Sequence, residues 1–418
     1  MYHYYTYDGR TLCSAGALPY PEISALPETG EVLWVFHRPP LSGRDTFPVT
    51  DPAQLTEREG VASLCAAPGP EGLPRELTNA IRAGLRAAAA AGRVRAVNLA
   101  HPRFEELMAP LPRPEKVRVN LLALGDVGST LLMGLRLMGG DVISSIGICD
   151  LREGVAQRWE FELNQIQLPG PYDALPPVEI VSPEQLFDGD VFLFCASRFV
   201  PDTAVKTGDV RMAQYRLNRE LAALYAQKAR QARYRGLFCV VSDPVDPLCR
   251  AVLTESNRAP NGEMDYQGLF SHQVRGFGLG VMNARAAYYA RKDPRFASFL
   301  TEGRSFGPHG EDLVIANSIR NYDDALSRQL TEQAVRANLR MRELGFKPYI
   351  APALSSGALS LLLCLRGQWH CSSTYLDGVF MGARNRVLPT GTELERLPLP
   401  RQLQDRLQIT MDRLRAID

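Results

Sequence analysis

Two textures of hydrophobic patterning divide the chain. Residues 1–114 are rich in proline and glycine and carry only weak periodicity. Within them Glu31-Val-Leu-Trp-Val-Phe-His37 predicts a strand, and Leu73 to Ala91 predicts a helix stopped by Gly92. Pro110-Leu-Pro-Arg-Pro114 suits neither a helix nor a central strand, because proline lacks the N–H those ladders use, so it reads as a linker. Beyond it, short apolar runs alternate with helical segments. Val117 to Leu124 and Val142 to Cys149 predict buried strands flanking a helix at Ser129 to Met138. Val191-Phe-Leu-Phe-Cys195 and Leu237-Phe-Cys-Val-Val-Ser242 repeat the signature, with a polar helix from Met212 to Arg233 between them. Such alternation predicts an α/β chain built on a Rossmann-type, doubly wound parallel sheet. No period of 20–50 residues recurs, which excludes a solenoid.

A length of 418 residues implies two or three folding units. The hydrophobic content of 45% is enough for sizeable cores, and a net charge of +1 gives no general attraction to nucleic acid or to a membrane surface. The first residues lack the basic and apolar regions of a signal peptide, and the longest apolar runs, such as Leu361 to Leu365, fall far short of the ~20 residues that span a bilayer. A cytoplasmic protein is expected. Its eight cysteines form no C-x-x-C pair and have no histidine at zinc spacing, which fits a reducing compartment and predicts no metal site. Of 47 basic residues five are lysine and the rest arginine, so a lone arginine carries little functional information.

The first chemical signal is the turn Ala123-Leu-Gly125-Asp126-Val127-Gly128, an A-x-G-x-x-G form of the dinucleotide fingerprint. Gly125 would let a pyrophosphate approach the backbone at a helix N-terminus, and Gly128 would let helix and strand pack closely. Asp150 follows Gly128 by 22 residues at the end of the next strand, placed to accept from a ribose 2′-hydroxyl. A carboxylate there disfavours a 2′-phosphate, so NAD is the expected cofactor. A glycine turn without a ligand is the bland alternative.

Downstream, a collinear set of motifs resembles the lactate/malate dehydrogenase family. Trp159-Glu-Phe-Glu-Leu stands in place of that family's next helix, and Phe194-Cys-Ala196-Ser-Arg198 resembles the strand end that opens its mobile loop. Arg211-Met-Ala-Gln-Tyr-Arg-Leu-Asn218 resembles the arginine-led helix after the loop, and Val241-Ser-Asp243-Pro-Val-Asp246 resembles V-S-N-P-V-D. Asn283-Ala-Arg285 resembles the end of L-D-S-A-R, and Gly307-Pro-His309-Gly-Glu-Asp312 resembles G-E-H-G-D, 24 residues after Arg285. The C-terminal stretch fits as well, ending in an amphipathic helix from Leu403 to Ile417. Coverage is about residues 115–418. The resemblance implies a dinucleotide-binding domain at 115–255, an α+β substrate domain at 256–418, and an accessory N-terminal region at 1–114 whose role no motif reveals. It implies His309 as general acid/base, Arg211 as the loop residue that polarises the carbonyl, and Arg285 as a bidentate clamp on a substrate carboxylate, with Asp243 beside it. Gly125, Asp126, Val127, Gly128, Asp150 and Ala196 would hold NAD. A small-molecule carboxylate substrate and a homo-oligomer, dimer or tetramer, complete the implication.

The pattern breaks at two positions. The family's histidine-orienting aspartate falls on Met282, whose thioether is a poor acceptor, and the asparagine of V-S-N-P becomes Asp243. Asp243 and Glu311 are the candidates to take over the orienting duty. Asp243-Pro244 is also a candidate cis peptide. Near Gly345-Phe-Lys347-Pro348, a lysine facing the pocket would suit a second acidic group on the substrate, although a solvated loop lysine is the favoured reading. Two readings therefore compete: an NAD-dependent dehydrogenase acting on a CH–OH group, and an NAD(H)-binding relative with degraded catalysis that serves a regulatory or structural role. NAD-dependent glycosidases on a related fold are a remote third, because Asp243 to Asp246 offers neither the cysteine nor the histidine their metal needs.

Overall fold

The computed structural model describes residues 2–55, 58–66, 83–111, 114–198 and 209–417. Six strands lie in the first part of the chain: β1 (His3–Tyr7), β2 (Arg10–Ser14), β3 (Glu22–Ile23), β4 (Val32–Phe36), β5 (Thr46–Val49) and β6 (Val94–Asn98). They form one sheet in the order β3-β1-β2-β4-β6-β5. The predicted Glu31–His37 strand is β4. Of the predicted Leu73–Ala91 helix, the described part is Ala83–Ala90, whose buried Leu85, Ala88 and Ala89 join Val32, Phe47 and Val94 in a small core. The rest of that segment lies outside the described residues.

The second sheet has nine strands. Six are parallel: β7 (Val117–Leu122), β8 (Ile143–Cys149), β9 (Val178–Ile180), β10 (Val191–Phe194), β11 (Leu237–Val240) and β12 (Val274–Gly276). Their spatial order, β9-β8-β7-β10-β11-β12, reverses direction between β7 and β10, so it is the doubly wound order with its switch point there. After the hairpin β13 (Arg304–Phe306) and β14 (Val314–Ala316), the antiparallel strands β15 (His370–Leu376), β16 (Val379–Leu388) and β17 (Gly391–Leu394) extend the sheet beyond β12. The fold is α/β, as the apolar runs predict. Both faces of β7, β10 and β11 are covered by helices, which is why Phe192, Phe194, Phe238 and Cys239 have no exposed surface.

The two sheets meet along a seam. β5 runs beside β17, Phe270 inserts into the core formed by Tyr5, Leu33 and Val97, and Val61 and Leu64 pack on the C-terminal helix Arg401–Arg415. Polar ties reinforce it: Ser271 Oγ donates to Asp45 Oδ2 at 2.8 Å, the Tyr375 hydroxyl donates to the Leu41 carbonyl, and Arg235 pairs with Glu106. Among the described residues no helix is long and apolar enough to cross a membrane.

Candidate active site

The carboxyl ends of adjacent parallel strands carry the candidate residues. Across the sheet these are Asp150 after β8, Gly125 after β7, Ala196 after β10, Asp243 after β11 and Gly278 after β12. Open α/β sheets bind ligands at this edge, beside the switch point.

At the glycine turn, Gly125 precedes the first residue of the Asp126–Met138 helix. A Cβ built on Gly125 would meet nothing within 4 Å, whereas one on Gly128 would stand 2.0 Å from the Ala123 carbonyl oxygen. Gly125 therefore borders open space and Gly128 is a packing glycine. Ala123 replaces the missing first glycine yet adopts φ 75°, a left-handed conformation that costs a residue with a Cβ about 1 kcal/mol. The Asp150 carboxylate is fixed by two backbone donors, the N–H of Leu124 at 2.8 Å and of Arg152 at 3.0 Å. Each oxygen retains a lone pair for a further donor. Lys347 Nζ lies 3.0 Å from Asp126 Oδ2, so it sits at the mouth of this turn and is half of an exposed ion pair.

His309 sits on the β13–β14 loop between Gly307 and Gly310, both at positive φ. Its Nδ1 stands 3.0 Å from the Gly278 carbonyl oxygen. That oxygen can only accept, so Nδ1 carries the hydrogen in the neutral ring and Nε2 is left with its lone pair. The partner that orients the ring at Nδ1 is thus a main-chain carbonyl. Glycine is needed at 278, since a Cβ there would lie 2.8 Å from the His309 Cβ. Ser356 Oγ donates to the same carbonyl at 2.7 Å and accepts from the Val281 N–H at 2.8 Å, locking strand end to helix.

Nε2 faces the Asp243 carboxylate, 4.0 Å from Oδ1. The Asp243–Pro244 peptide is cis, and the Asp243 carbonyl accepts from Asn218 Nδ2 at 2.8 Å. Three residues on, Asp246 is buried. Its Oδ2 accepts from the His309 backbone N–H at 3.2 Å and its Oδ1 from the Ser373 hydroxyl. Burial pushes this carboxyl up to about 6 despite those hydrogen bonds, with the Asp243 charge adding to the rise.

Met282 is a core residue, buried against Leu279, Phe296 and Ile315. Its sulfur lies 3.4 Å from a nitrogen of Arg285, one helical turn on, and the Asn338 amide oxygen accepts from the other terminal nitrogen. Burial lowers the Arg285 pKa, and the charge of Asp243 opposes the fall. Asp243 thus faces the His309 ring, and its charge acts on Arg285. Arg211 lies in the first turn of the Asp209–Gln231 helix, as its motif requires, but its side chain is outside the described residues, as is the loop containing Pro201, Asp202 and Lys206. Ala196 follows β10, and its carbonyl accepts from Ser242 Oγ at 2.7 Å. Gly278, Ser356, Asn338 and Asp246 are the contributors that the motifs did not single out. Gly278 acts through its main chain and has no side-chain signature to read, while Ser356 and Asn338 come from distant segments.

No family model matches the chain. In sequence it is similar to the L-lactate dehydrogenase of Mesomycoplasma hyopneumoniae (strain 232), at 24% identity over 204 residues, a match spanning 48% of this chain and 58% of that enzyme. The chain thus covers less than two thirds of the curated relatives it matches. Solved structures agree more broadly. The minor L-lactate dehydrogenase from Enterococcus mundtii superposes with a TM-score of 0.57 at 18% identity, covering 72% of this chain and 98% of that one. The malate dehydrogenase of Cryptosporidium parvum gives 0.56 at 16% identity over 72% and 96%, and that of Archaeoglobus fulgidus, solved in complex with NADH, gives 0.56 at 16% over 71% and 97%. The chain has the fold of those lactate and malate dehydrogenases.

Proposed function

We propose that this protein is an NAD-dependent oxidoreductase interconverting a 2-hydroxy acid and a 2-oxo acid. One observation carries the reading: the dinucleotide turn after β7 and the end of β12 open on the same sheet edge, and at the latter the Gly278 carbonyl fixes His309 Nδ1 and leaves Nε2 with its lone pair. The turn fits the cofactor, because Gly125 opens on space at a helix N-terminus and Asp150 is held rigid with lone pairs to spare. Bound there, NAD(H) would accept or supply the hydride. Gly125, Asp126, Val127 and Gly128 would hold its diphosphate, Asp150 its ribose, and Ala196 would border it.

His309 handles the proton. Its Nε2 lone pair takes the hydroxyl proton during oxidation and returns it during reduction, while Nδ1–H stays on Gly278. Arg285 supplies the cation for the substrate carboxylate, and its buried setting strengthens that contact. Arg211 takes the polarising role by its motif position. Asp243 makes the pocket less positive than an asparagine would.

A second reading is an NAD(H) binder with degraded catalysis. The observation favouring it is that Met282 faces Arg285 from the core, leaving His309 with a neutral acceptor in place of a carboxylate. NADH absorbance and fluorescence with a panel of 2-oxo acids separate the two. Turnover that His309→Asn lowers by about 10²-fold or more supports the enzyme. NADH binding with no turnover supports the second reading, and no NADH binding removes both.

A further inference from the structure

The seam between the two sheets encloses a cavity that the dehydrogenase reading does not use. It is lined by Arg44 and Thr46 from the first part of the chain and by Ser271, His272, Arg275, Thr374 and Thr392 from the second. The space open to the centre of a water-sized sphere is about 10 Å³, room for one water or one halide ion. Four lining residues present buried polar atoms without a protein partner: Thr46 Oγ1, His272 Nδ1, Arg275 Nε and Thr374 Oγ1. Thr46, Arg275 and Thr374 are each at least nine-tenths buried. Buried polar groups are almost always satisfied, so four such atoms around one cavity indicate an occupant.

Charge decides which occupant. Arg275 is 1% exposed, and its terminal nitrogens reach only neutral oxygens: Ser372 Oγ at 3.3 Å, Asn385 Oδ1 at 2.6 Å and Thr392 Oγ1 at 2.6 Å. A guanidinium buried among neutral partners is costly without a counter-charge. Of the nearby carboxylates, Glu59 pairs with Arg44, and Asp45 lies outside the lining, its Oδ2 accepting from Ser271 and its buried Oδ1 without a partner. The charged groups acting on His272 are all cationic or ring nitrogens, Arg95, Arg275, Arg103 and His101.

We propose that this cavity is a binding site for a small inorganic anion, a halide of chloride size, which completes the seam between the N-terminal sheet and the dehydrogenase-like sheet. Arg275 Nε, the Thr46 and Thr374 hydroxyls and a His272 ring nitrogen would donate to it. A diatomic or larger oxyanion does not fit a one-sphere space.

Thermal unfolding of the full chain at constant ionic strength, with chloride exchanged for the bulkier gluconate, tests this. Chloride at 100 mM is expected to raise Tm by about 2 °C or more over gluconate, the size of shift that saturable binding to the folded state gives. Crystals grown in sodium bromide are expected to show an anomalous peak between Arg275 and Thr374. Thr374→Val removes one donor at nearly constant volume and is expected to abolish most of the chloride response; Arg275→Met provides a second variant. Equal melting in the two salts, a water in place of bromide, or an undiminished chloride response in the Thr374→Val protein would overturn the proposal.

Discussion

Gly125 and Gly128 sit in one turn, yet a methyl group on each would meet different things, and that difference is testable. At Gly125, φ is −68° and the space is open, so Gly125→Ala should leave stability within about 0.5 kcal/mol of wild type in urea unfolding. If the space belongs to a diphosphate, the same change should weaken NADH binding by about tenfold or more, roughly 1.4 kcal/mol. Unchanged affinity would remove the nucleotide from this turn. Gly128→Ala, pressed against the Ala123 carbonyl, should instead destabilise the fold by about 2 kcal/mol. Asp246 gives a pH test at the same scale. Its folded pKa is raised from 3.8 to about 6, so the folded state holds its proton more tightly than the unfolded chain. Stability from this group is present below about pH 4, is lost as pH rises to about 6, and stays lost above, a cost of roughly 3 kcal/mol at neutral pH. Asp246→Asn cannot titrate. The stability difference between variant and wild type should shift by about that amount toward the variant between pH 4 and pH 7, and a constant difference would show that Asp246 is not buried as a charge. Much of this was legible beforehand: Gly125, Asp150 and His309 announce themselves by type and spacing. The Gly278 carbonyl does not, because every residue has one, and only the fold says which reaches a histidine.

Among the elements, four of the six parallel strands, β7, β8, β10 and β11, were read to within a few residues, since a continuous apolar run has few other uses in an α/β chain, whereas β9 and β12, three residues each, are too short to show one. The errors lie at carboxyl ends: Leu124, Cys195 and Ser242 extend the apolar or small-residue pattern but belong to the turns that form the site. The segment Pro352–Leu359 was not legible. It is a π-helix running into the Ser360–Leu365 α-helix, and its wider hydrogen-bond spacing leaves no mark on periodicity over a single turn. Its role is positional. It brings Ser356 to the Gly278 carbonyl and packs Gly357 and Ala358 against Leu131 and Gly134 of the helix that follows the glycine turn. A Cβ on Gly134 would stand 2.6 Å from that of Ala358, so this crossing depends on a missing side chain. Gly134→Val should cost about 2–3 kcal/mol in urea unfolding by forcing the two helices apart. A cost below about 0.5 kcal/mol would mean the crossing has slack.

For the molecule as a whole, the N-terminal sheet was the least readable part. Its strands are two to five residues long and mix parallel with antiparallel pairing, so neither the period-2 pattern nor the long apolar run is sustained. Its partnership with the rest is nonlocal, between residues such as Asp45 and Ser271 that no spacing rule connects. The seam it forms makes a prediction of its own. Burial and the charges of Arg95, Arg275, Arg103 and His101 push His272 down to about 3, and burial with Arg275 does the same to His370. Both histidines are therefore neutral in the folded protein while the unfolded chain protonates them near pH 6.5. Their contribution is complete above that pH and is lost as pH falls toward 3, at up to about 1.4 kcal/mol per unit for each. Asp246 opposes this by one proton between about pH 4 and 6, so the net slope from these three groups is about one proton there and fades above about pH 6.5 as the unfolded histidines lose their protons. In chloride-free buffer, His272→Gln should remove one proton from that slope, flattening the dependence of unfolding free energy on pH between 4 and 6. Native-state hydrogen exchange at pH 5 should show β5 and β17 losing protection before β7 and β10, because opening the seam is what lets His272 take up its proton. If the central strands open first, or if the slope is unchanged in the variant, the acid-sensitive element is not the seam.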